Sequence, residues 1–445
     1  MRKHLWVLVA LCLLAVFPAD VGAQPIVPSI ADQTAFQDAR IAAETGDVEA
    51  QRQLGIMYEQ GRGVLQSSFD AVKWFRLAAE KGDLVAQRRL GSAYRRGQGV
   101  AQSDVEALKW FRLAAEQGDS LSQSLVAQAY DRGVGVNRDV AEATKWYRLV
   151  AEQGVADAQF LVGERYRIGE GVRQDFVEAA KWFRLAAEQG DATAQWFLGT
   201  LYSKGEGVTQ NWAEAAKWYR LAAVQGIAGA QAGLGGIYVL GKGVPVDHAE
   251  AVRWTRMAAE QGLAVAQASL GNAYSEGKGV RQNWIEAVRW YRLAAEQGLS
   301  VAQGMLGSMY SAGQGVPQDH VEAARWLRRG AEQGHAISQW LLGKAYRSGE
   351  GVPQSHVEAV RWTRLAAEQG DAQAQWMLGG AYLFGEGVPR NILLAYVWFN
   401  LAALGGDSTA PSWRDDAAKF LPPPQIAEGQ KLVRECLARK FKDCN

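Results

Sequence analysis

Apolar positions between residues 47 and 406 recur in two alternating helical stripes. In the first copy Ala50, Leu54, Met57 and Tyr58 stand at i, i+4, i+7 and i+8, one face of a helix, here called helix A. Gly61-Arg62-Gly63-Val64 interrupts that pattern, and a second stripe follows in which Ala71, Trp74, Phe75 and Ala78 stand at i, i+3, i+4 and i+7. This is helix B. Just ahead of it lies a column of Ser67, Ser103, Asp139, Asp175, Asn211, Asp247, Asn283, Asp319, Ser355 and Asn391. All are N-cap residues, whose side-chain oxygens accept the free backbone N–H groups of a first turn. Three residues on stand Glu106, Glu142 and Glu178, the spacing of a capping box. Glycine closes helix B at Gly82, Gly118 and Gly154. Gly55, repeated as Gly91, Gly163 and Gly199, removes a side chain where a neighbouring helix comes close.

The two stripes form one unit copied ten times. Tryptophans stand at Trp74, Trp110, Trp146, Trp182, Trp218, Trp254, Trp290, Trp326, Trp362 and Trp398, every gap being 36 residues. A helix pair of this size cannot bury its apolar faces alone, whereas a stack makes a continuous core. The expected fold is all-α: an αα superhelical solenoid of ten 36-residue helix-turn-helix repeats, with capping helices at both ends. Each buried Trp removes about 200 Å² from water, worth at most about 5 kcal/mol before entropic corrections. Residues 24–46 supply the first cap, because 35–46 read like a helix B with Asp38 in place of Trp. In the tenth repeat Leu394, Val397 and Asn400 replace the charged residues of helix B, so that face needs a cover. Residues 407–445, with helical patterns at 412–420 and 425–442, are its expected closing cap.

Outside the array, Met1-Arg2-Lys3-His4, an apolar run from Leu5 to Phe17, and Val21-Gly22-Ala23 read as a signal peptide, residues 1–23. The run is short for a membrane span, and an uncleaved anchor is the alternative. Removing Arg2, Lys3 and Asp20 from 48 basic and 47 acidic residues leaves 46 of each. A net charge of zero argues against general binding to nucleic acid or anionic membrane. Two cysteines remain in the tail, Cys436 and Cys444. On a straight helix they would lie about 12 Å apart, so a disulfide requires the helix to end between them. The alternative is two unpaired thiols.

Chemistry is sparse. The recurrent Gly-x-Gly, such as Gly205/Gly207, lacks a preceding strand and a following Lys-Ser/Thr, so it is a joint between helices rather than a phosphate loop. His248, His320 and His356 share one column, but no Cys or fixed carboxylate joins them as a third metal ligand. Neither a metal nor a cofactor is expected.

The motif A-x-A-Q-x-x-L-G-x-x-Y-x-x-G-x-G-V followed by E-A-x-x-W-x-R-x-A-A-E-Q-G resembles the Sel1-like repeat, a relative of the tetratricopeptide repeat. The likeness covers residues 47–406, and the tail FNLAALGGD…IAEGQKLVREC resembles the end of bacterial members. Departures are small: Ala127 for the helix A glycine, Gly330 for Ala, and the altered helix B of repeat ten. The resemblance implies a non-catalytic adaptor or scaffold in the bacterial envelope, exported to the periplasm or secreted, with one or more protein partners. The short leader and the absence of an Asn-x-Ser/Thr sequon favour the periplasm over a eukaryotic lumen. A second implied role is a glycan-associated scaffold in exopolysaccharide export. Some such proteins carry a β-lactamase label, and Ser275-Glu276-Gly277-Lys278 fits Ser-x-x-Lys. It falls in a joint, however, without Ser-Asp-Asn or Lys-Thr-Gly.

Binding should use positions that vary within the fixed frame. The residue two before the helix A leucine lies about 160° from the core stripe. That column reads Arg52, Arg88, Ser124, Phe160, Trp196, Ala232, Ala268, Gly304, Trp340 and Trp376. Phe160, Trp196, Trp340 and Trp376 are candidate partner anchors, unless this face packs on the next helix. Arg52, Arg88, Arg89, Arg95, Arg96 and Arg132 gather on the first three A helices. They suggest an acidic partner such as a polysaccharide, or else a solvated face. The Lys/Arg before the helix B Trp and the Arg after it, present in nearly every copy, read as frame, pairing with Glu three or four residues away.

Overall fold

A computed structural model describes residues 29–442 and Cys444. The expected signal peptide, residues 1–23, lies outside the described residues. Among these residues the chain is entirely helical: a lead helix Ile30–Glu44, ten A/B helix pairs, and two tail helices, Ala410–Ala418 and Pro423–Ala438. The all-α fold of ten stacked helix-turn-helix repeats is as expected. The chain divides into two compact units, one ending at Gln174 and one beginning at Asp175.

Local chemistry sets each helix boundary. Every helix B begins at its Ser, Asp or Asn, whose side chain accepts a first-turn N–H, as Asn283 Oδ1 does from Ile285 and Glu286. The return half of the capping box is not made. The N-cap backbone N–H donates instead to the helix A tyrosine carbonyl nine residues earlier, as Asn283 does to Tyr274 and Ser103 to Tyr94. The Glu is thereby released to pair with the Lys or Arg three residues on, as Glu142 does with Lys145 at 2.7 Å. The Arg after Trp departs from the expected frame. It mostly reaches forward to the tyrosine of the next helix A, as Arg292 Nη2 does to Tyr310 Oη at 2.6 Å. Asn400 replaces it in repeat ten, where Ala418 stands eighteen residues on and no tyrosine follows.

The two joint glycines do different work. Gly205 closes its helix with φ +74°, the left-handed C-cap. Gly207 also has positive φ, and a Cβ on it would stand 2.0 Å from the Phe176 carbonyl oxygen of the preceding repeat. That second glycine lets one repeat lie against the next. The helix A glycines make room for the residue that follows Trp, an aromatic at Gly271, where a Cβ would meet the Tyr291 ring at 2.7 Å, and Thr255 at Gly235.

Each core segment combines one helix B, the next helix A and the Trp of the helix B after that. Ala71, Phe75 and Ala78 meet Ala86 and Leu90 under Trp110 in the first unit. Ala215, Tyr219 and Ala222 meet Ala230 and Leu234 under Trp254 in the second. A buried glutamine ladder threads these segments. Gln87 Nε2 donates to the Ala79 carbonyl, and its Oε1 accepts from Gln117 Nε2, which also donates to the Gly82 carbonyl. The same pattern recurs at Gln123/Gln153 and Gln267/Gln297. It ends where Lys81 and Gly405 replace the donor, leaving Gln51 Oε1 and Gln375 Oε1 buried without a hydrogen bond among the described residues.

Over the tenth repeat, Tyr396, Val397 and Trp398 are buried beneath the tail helices. A Cβ on Gly429 would meet the Tyr396 ring at 2.7 Å, so the second tail helix lies close against this face. That helix ends at Ala438, and Lys440 and Phe441 turn the chain back with positive φ. Cys436 and Cys444 are joined as a disulfide with their Cα atoms 5.2 Å apart.

Candidate partner-binding surface

The helical wheel predicts that the column two residues before the helix A leucine is open. In the structure Phe160, Trp196, Trp340 and Trp376 are each half-buried instead. In a stack, helix A has a neighbour on its far side, and this column meets the residue 31 positions later, at the start of the next helix A. At several repeats the two positions complement each other in charge or size. Arg52 pairs with Asp83 and Arg88 with Asp119, each at 3.0 Å. A Cβ on Gly304 would come within 2.9 Å of the His335 ring, so the missing side chain makes room for that imidazole. Ala232 packs in the same cluster as Leu263. Trp196 lies over Gly229 of the following A helix, where a Cβ would meet the indole at 2.7 Å.

Two members of the column share an opening. Trp340 and Trp376 line a groove of about 600 Å³ with Lys344, Arg347, Ser348, Gln373, Met377, Asp407 and Thr409. Helix A of repeat nine, Ala336–Ser348, places Trp340, Lys344, Arg347 and Ser348 along one edge. Helix A of repeat ten, Ala372–Phe384, places Gln373, Trp376 and Met377 opposite. The floor is apolar: Met377 is buried, and the half-buried Trp376 is braced edge-on by Trp413 of the first tail helix at 6.3 Å. The rim is polar and exposed at Lys344, Ser348, Gln373 and Thr409. Arg347 is paired with Glu386 at 3.2 Å. Asp407 Oδ1 accepts from Thr409 N, Thr409 Oγ1 and Ala410 N. Lys344 and Gln373 have no side-chain hydrogen bond or ion pair among the described residues.

The arginines of the first three A helices are less uniform than their sequence suggests. Arg52 holds Glu49 as well as Asp83. Arg89 is paired with Glu59 and lies over the Phe75 ring. Arg95 sits over the Phe111 ring at 5.5 Å, and burial, with Arg96 beside it, pushes its guanidinium below the usual arginine pKa. Arg96 and Arg132 are exposed.

No catalytic constellation assembles at the Ser-x-x-Lys string. Ser275 Oγ donates back to the Asn272 carbonyl at 2.9 Å, and Lys278 is paired with Glu276 at 2.6 Å. Among the described residues no group of three or more His, Cys, Asp or Glu side chains is placed to hold a metal ion. His335, absent from the sequence reading, has a shifted pKa. It begins helix A of repeat nine, its Nδ1 lies 2.8 Å from Ser338 Oγ, and burial holds it below the usual histidine value. Another unforeseen group is Arg165, buried, 2.7 Å from Asp131 and stacked over Tyr147, whose phenol burial pushes up to about 12.

Comparison with known proteins agrees with the repeat register. The Sel1 repeat model matches ten consecutive segments from 48–83 to 372–407. A crystal structure of a protective antigen from uropathogenic Escherichia coli with an SLR fold is 33% identical. The alignment covers 92% of this chain and 96% of that one, with a TM-score of 0.57. A Sel1 repeat protein from Oxalobacter formigenes is also 33% identical, covering 71% of this chain and 93% of its own, with a TM-score of 0.55. No curated protein matches the chain. On the strength of ten matched repeats and these structures, the chain belongs to the Sel1 repeat family.

Proposed function

We propose that this chain is a non-catalytic scaffold of the bacterial envelope that holds a partner protein against its helix A surface. Sel1 repeat proteins generally mediate protein–protein interaction, which supports the binding class. The observation that carries the reading here is the groove between repeats nine and ten, with its apolar floor of Trp340, Trp376 and Met377 and its polar rim. Such a floor excludes water from a contact while the rim sets its orientation. The leader of residues 1–23 is the basis for export, with the periplasm as the destination.

The test is affinity capture from an envelope extract with residues 24–445, beside a Trp340→Ala/Trp376→Ala variant whose helicity is measured by circular dichroism. Capture of one protein by the wild type, lost in a variant of unchanged helicity, is the expected result. Capture unaffected by the double substitution would place the contact elsewhere. A second reading, a glycan-associated scaffold, rests on the exposed Arg96 and Arg132. Salt-sensitive retention on an acidic polysaccharide, lost on changing those two arginines to Ala, would favour it.

A further inference from the structure

We infer that a recess between repeats eight and nine binds a small uncharged phenol, which takes the place of a tyrosine ring that repeat eight lacks. This goes beyond the scaffold reading and does not depend on it. The residue after the helix B Trp is Phe or Tyr in most copies, but in repeat eight it is Leu327. In repeats five and seven it is Tyr, and the phenol ends on two polar positions of the helix A before it. Tyr219 Oη donates to Thr200 Oγ1 at 3.2 Å and lies 3.3 Å from Ser203 Oγ. Tyr291 Oη donates to Asn272 Oδ1 at 2.5 Å and lies 3.3 Å from Ser275 Oγ. The matching residues of repeat eight are Ser308 and Ser311, which line the recess with Leu327. Ser308 Oγ donates to the Gly304 carbonyl at 3.0 Å, as Thr200 Oγ1 does to the Trp196 carbonyl. Its proton is committed, and its lone pairs are free to accept a phenol O–H, the part that Thr200 plays for Tyr219.

Size gives the second argument. One repeat earlier, Trp284, Val288, Tyr291 and Met309 pack in a single core cluster. Their counterparts here are His320, Ala324, Leu327 and Ala345, each smaller. A Cβ on Gly307 would meet Leu327 Cγ at 2.7 Å, as one on Gly271 would meet the Tyr291 ring. Leu327 thus fills the root of the ring's place and leaves its outer half and hydroxyl position open. The recess holds about 110 Å³. That is of the order of the roughly 150 Å³ apolar cavity that admits benzene. The third argument is the distribution of polarity. The side chains of Ala323, Ala324, Leu327, Leu341 and Ala345 are hydrocarbon, while the two serine hydroxyls stand together on helix A of repeat eight. A flat ring with one hydroxyl matches that division. A saccharide carries hydroxyls all round its ring and would set several against methyl groups that cannot bond them. Lys344 and Glu350, both exposed, are opposite in sign, so the lining favours neither an anion nor a cation.

The experiment follows 4-fluorophenol and fluorobenzene by fluorine NMR as each is titrated with the full processed chain. Binding of 4-fluorophenol with a Kd of about 1 mM or below is the expected result. Leu327→Tyr rebuilds the arrangement of repeats five and seven, so it should fold normally, as circular dichroism would check, and should abolish binding of both probes. Ala345→Met, which restores the Met309 of the previous repeat, should weaken both about fivefold or more and serves if the first variant misfolds. Ser308→Ala/Ser311→Ala should weaken 4-fluorophenol about fivefold, the worth of one hydrogen bond, and leave fluorobenzene unweakened. No binding to wild type, binding that survives in folded Leu327→Tyr or in Ala345→Met, or equal losses of the two probes in the serine variant would each overturn the assignment. So would displacement of 4-fluorophenol by benzoate, benzylamine or methyl glucoside at lower concentration than by phenol. Envelope capture is measured separately, so the scaffold reading and this site stand or fall independently.

Discussion

At the scale of single residues, the joint glycines divide a sequence motif into two physical roles. A Cβ at Gly205 would stand 3.2 Å from Gln210 Cβ and 3.5 Å from its backbone N, with no overlap as close as that at Gly207, so its main cost is the left-handed backbone. Gly205→Ala should therefore destabilise by about 1–2 kcal/mol. Gly207→Ala adds a collision with the backbone of the preceding repeat and should cost more, about 3 kcal/mol or above. Urea unfolding of the two variants checks that order, and equal losses would refute the close-approach role. The sequence displays both glycines and all ten helix B N-caps, because caps and left-handed turns are local. It does not display that Asp131 and Arg165 meet, since their pairing across 34 residues depends on how helices stack.

Between elements, the glutamine ladder is the least legible part of the frame. The Gln columns are plain in the sequence, but the link from Gln117 to Gln87 runs back across the joint between helices A and B and needs the packed register. The open face read from the helical wheel fails for a related reason: a wheel knows one helix and its own core, not the neighbour on the other side. The ladder yields a stabilising substitution. Among the described residues Lys81 donates to the Gly46 carbonyl alone, whereas a Gln there can also reach the orphaned Gln51 Oε1. Lys81→Gln should raise stability by about 1 kcal/mol, read as a higher urea midpoint at unchanged slope. No gain would mean that the first repeat satisfies Gln51 by other means.

His335 provides the pH signature of one junction. Its folded pKa is lowered by burial, so below the ordinary value of about 6.5 the unfolded chain takes up a proton that the folded chain resists. Its contribution is complete above that value and falls away as the pH drops through the folded pKa. His335→Gln should flatten the loss of thermal stability between neutral and mildly acidic pH. A slope unchanged by the substitution would assign the acid sensitivity to other groups.

For the molecule as a whole, a repeat array depends on how its terminal faces are closed. The tail helices were legible as a need, from Leu394 and Val397, more than as a geometry. The return of Phe441 onto Gly370, where a Cβ would meet the ring at 2.9 Å, has no local signal. Breaking the disulfide with Cys436→Ser should remove about 2–3 kcal/mol from the cap, the loop-closure value for a short ring. Limited proteolysis would then cut first in residues 423–445, and resistance equal to wild type would show that packing alone holds the tail. The candidate groove was half legible: its two tryptophans stood out in the column, while the rim from Ser348, Gln373 and Thr409 is assembled only by stacking.

The most direct test of the account is hydrogen–deuterium exchange of the chain with and without a partner captured from the envelope. Protection concentrated in residues 340–348, 373–377 and 407–409 is the predicted result. Protection confined to other repeats, or none at all on a saturated complex, would contradict the assignment of this groove as the working surface.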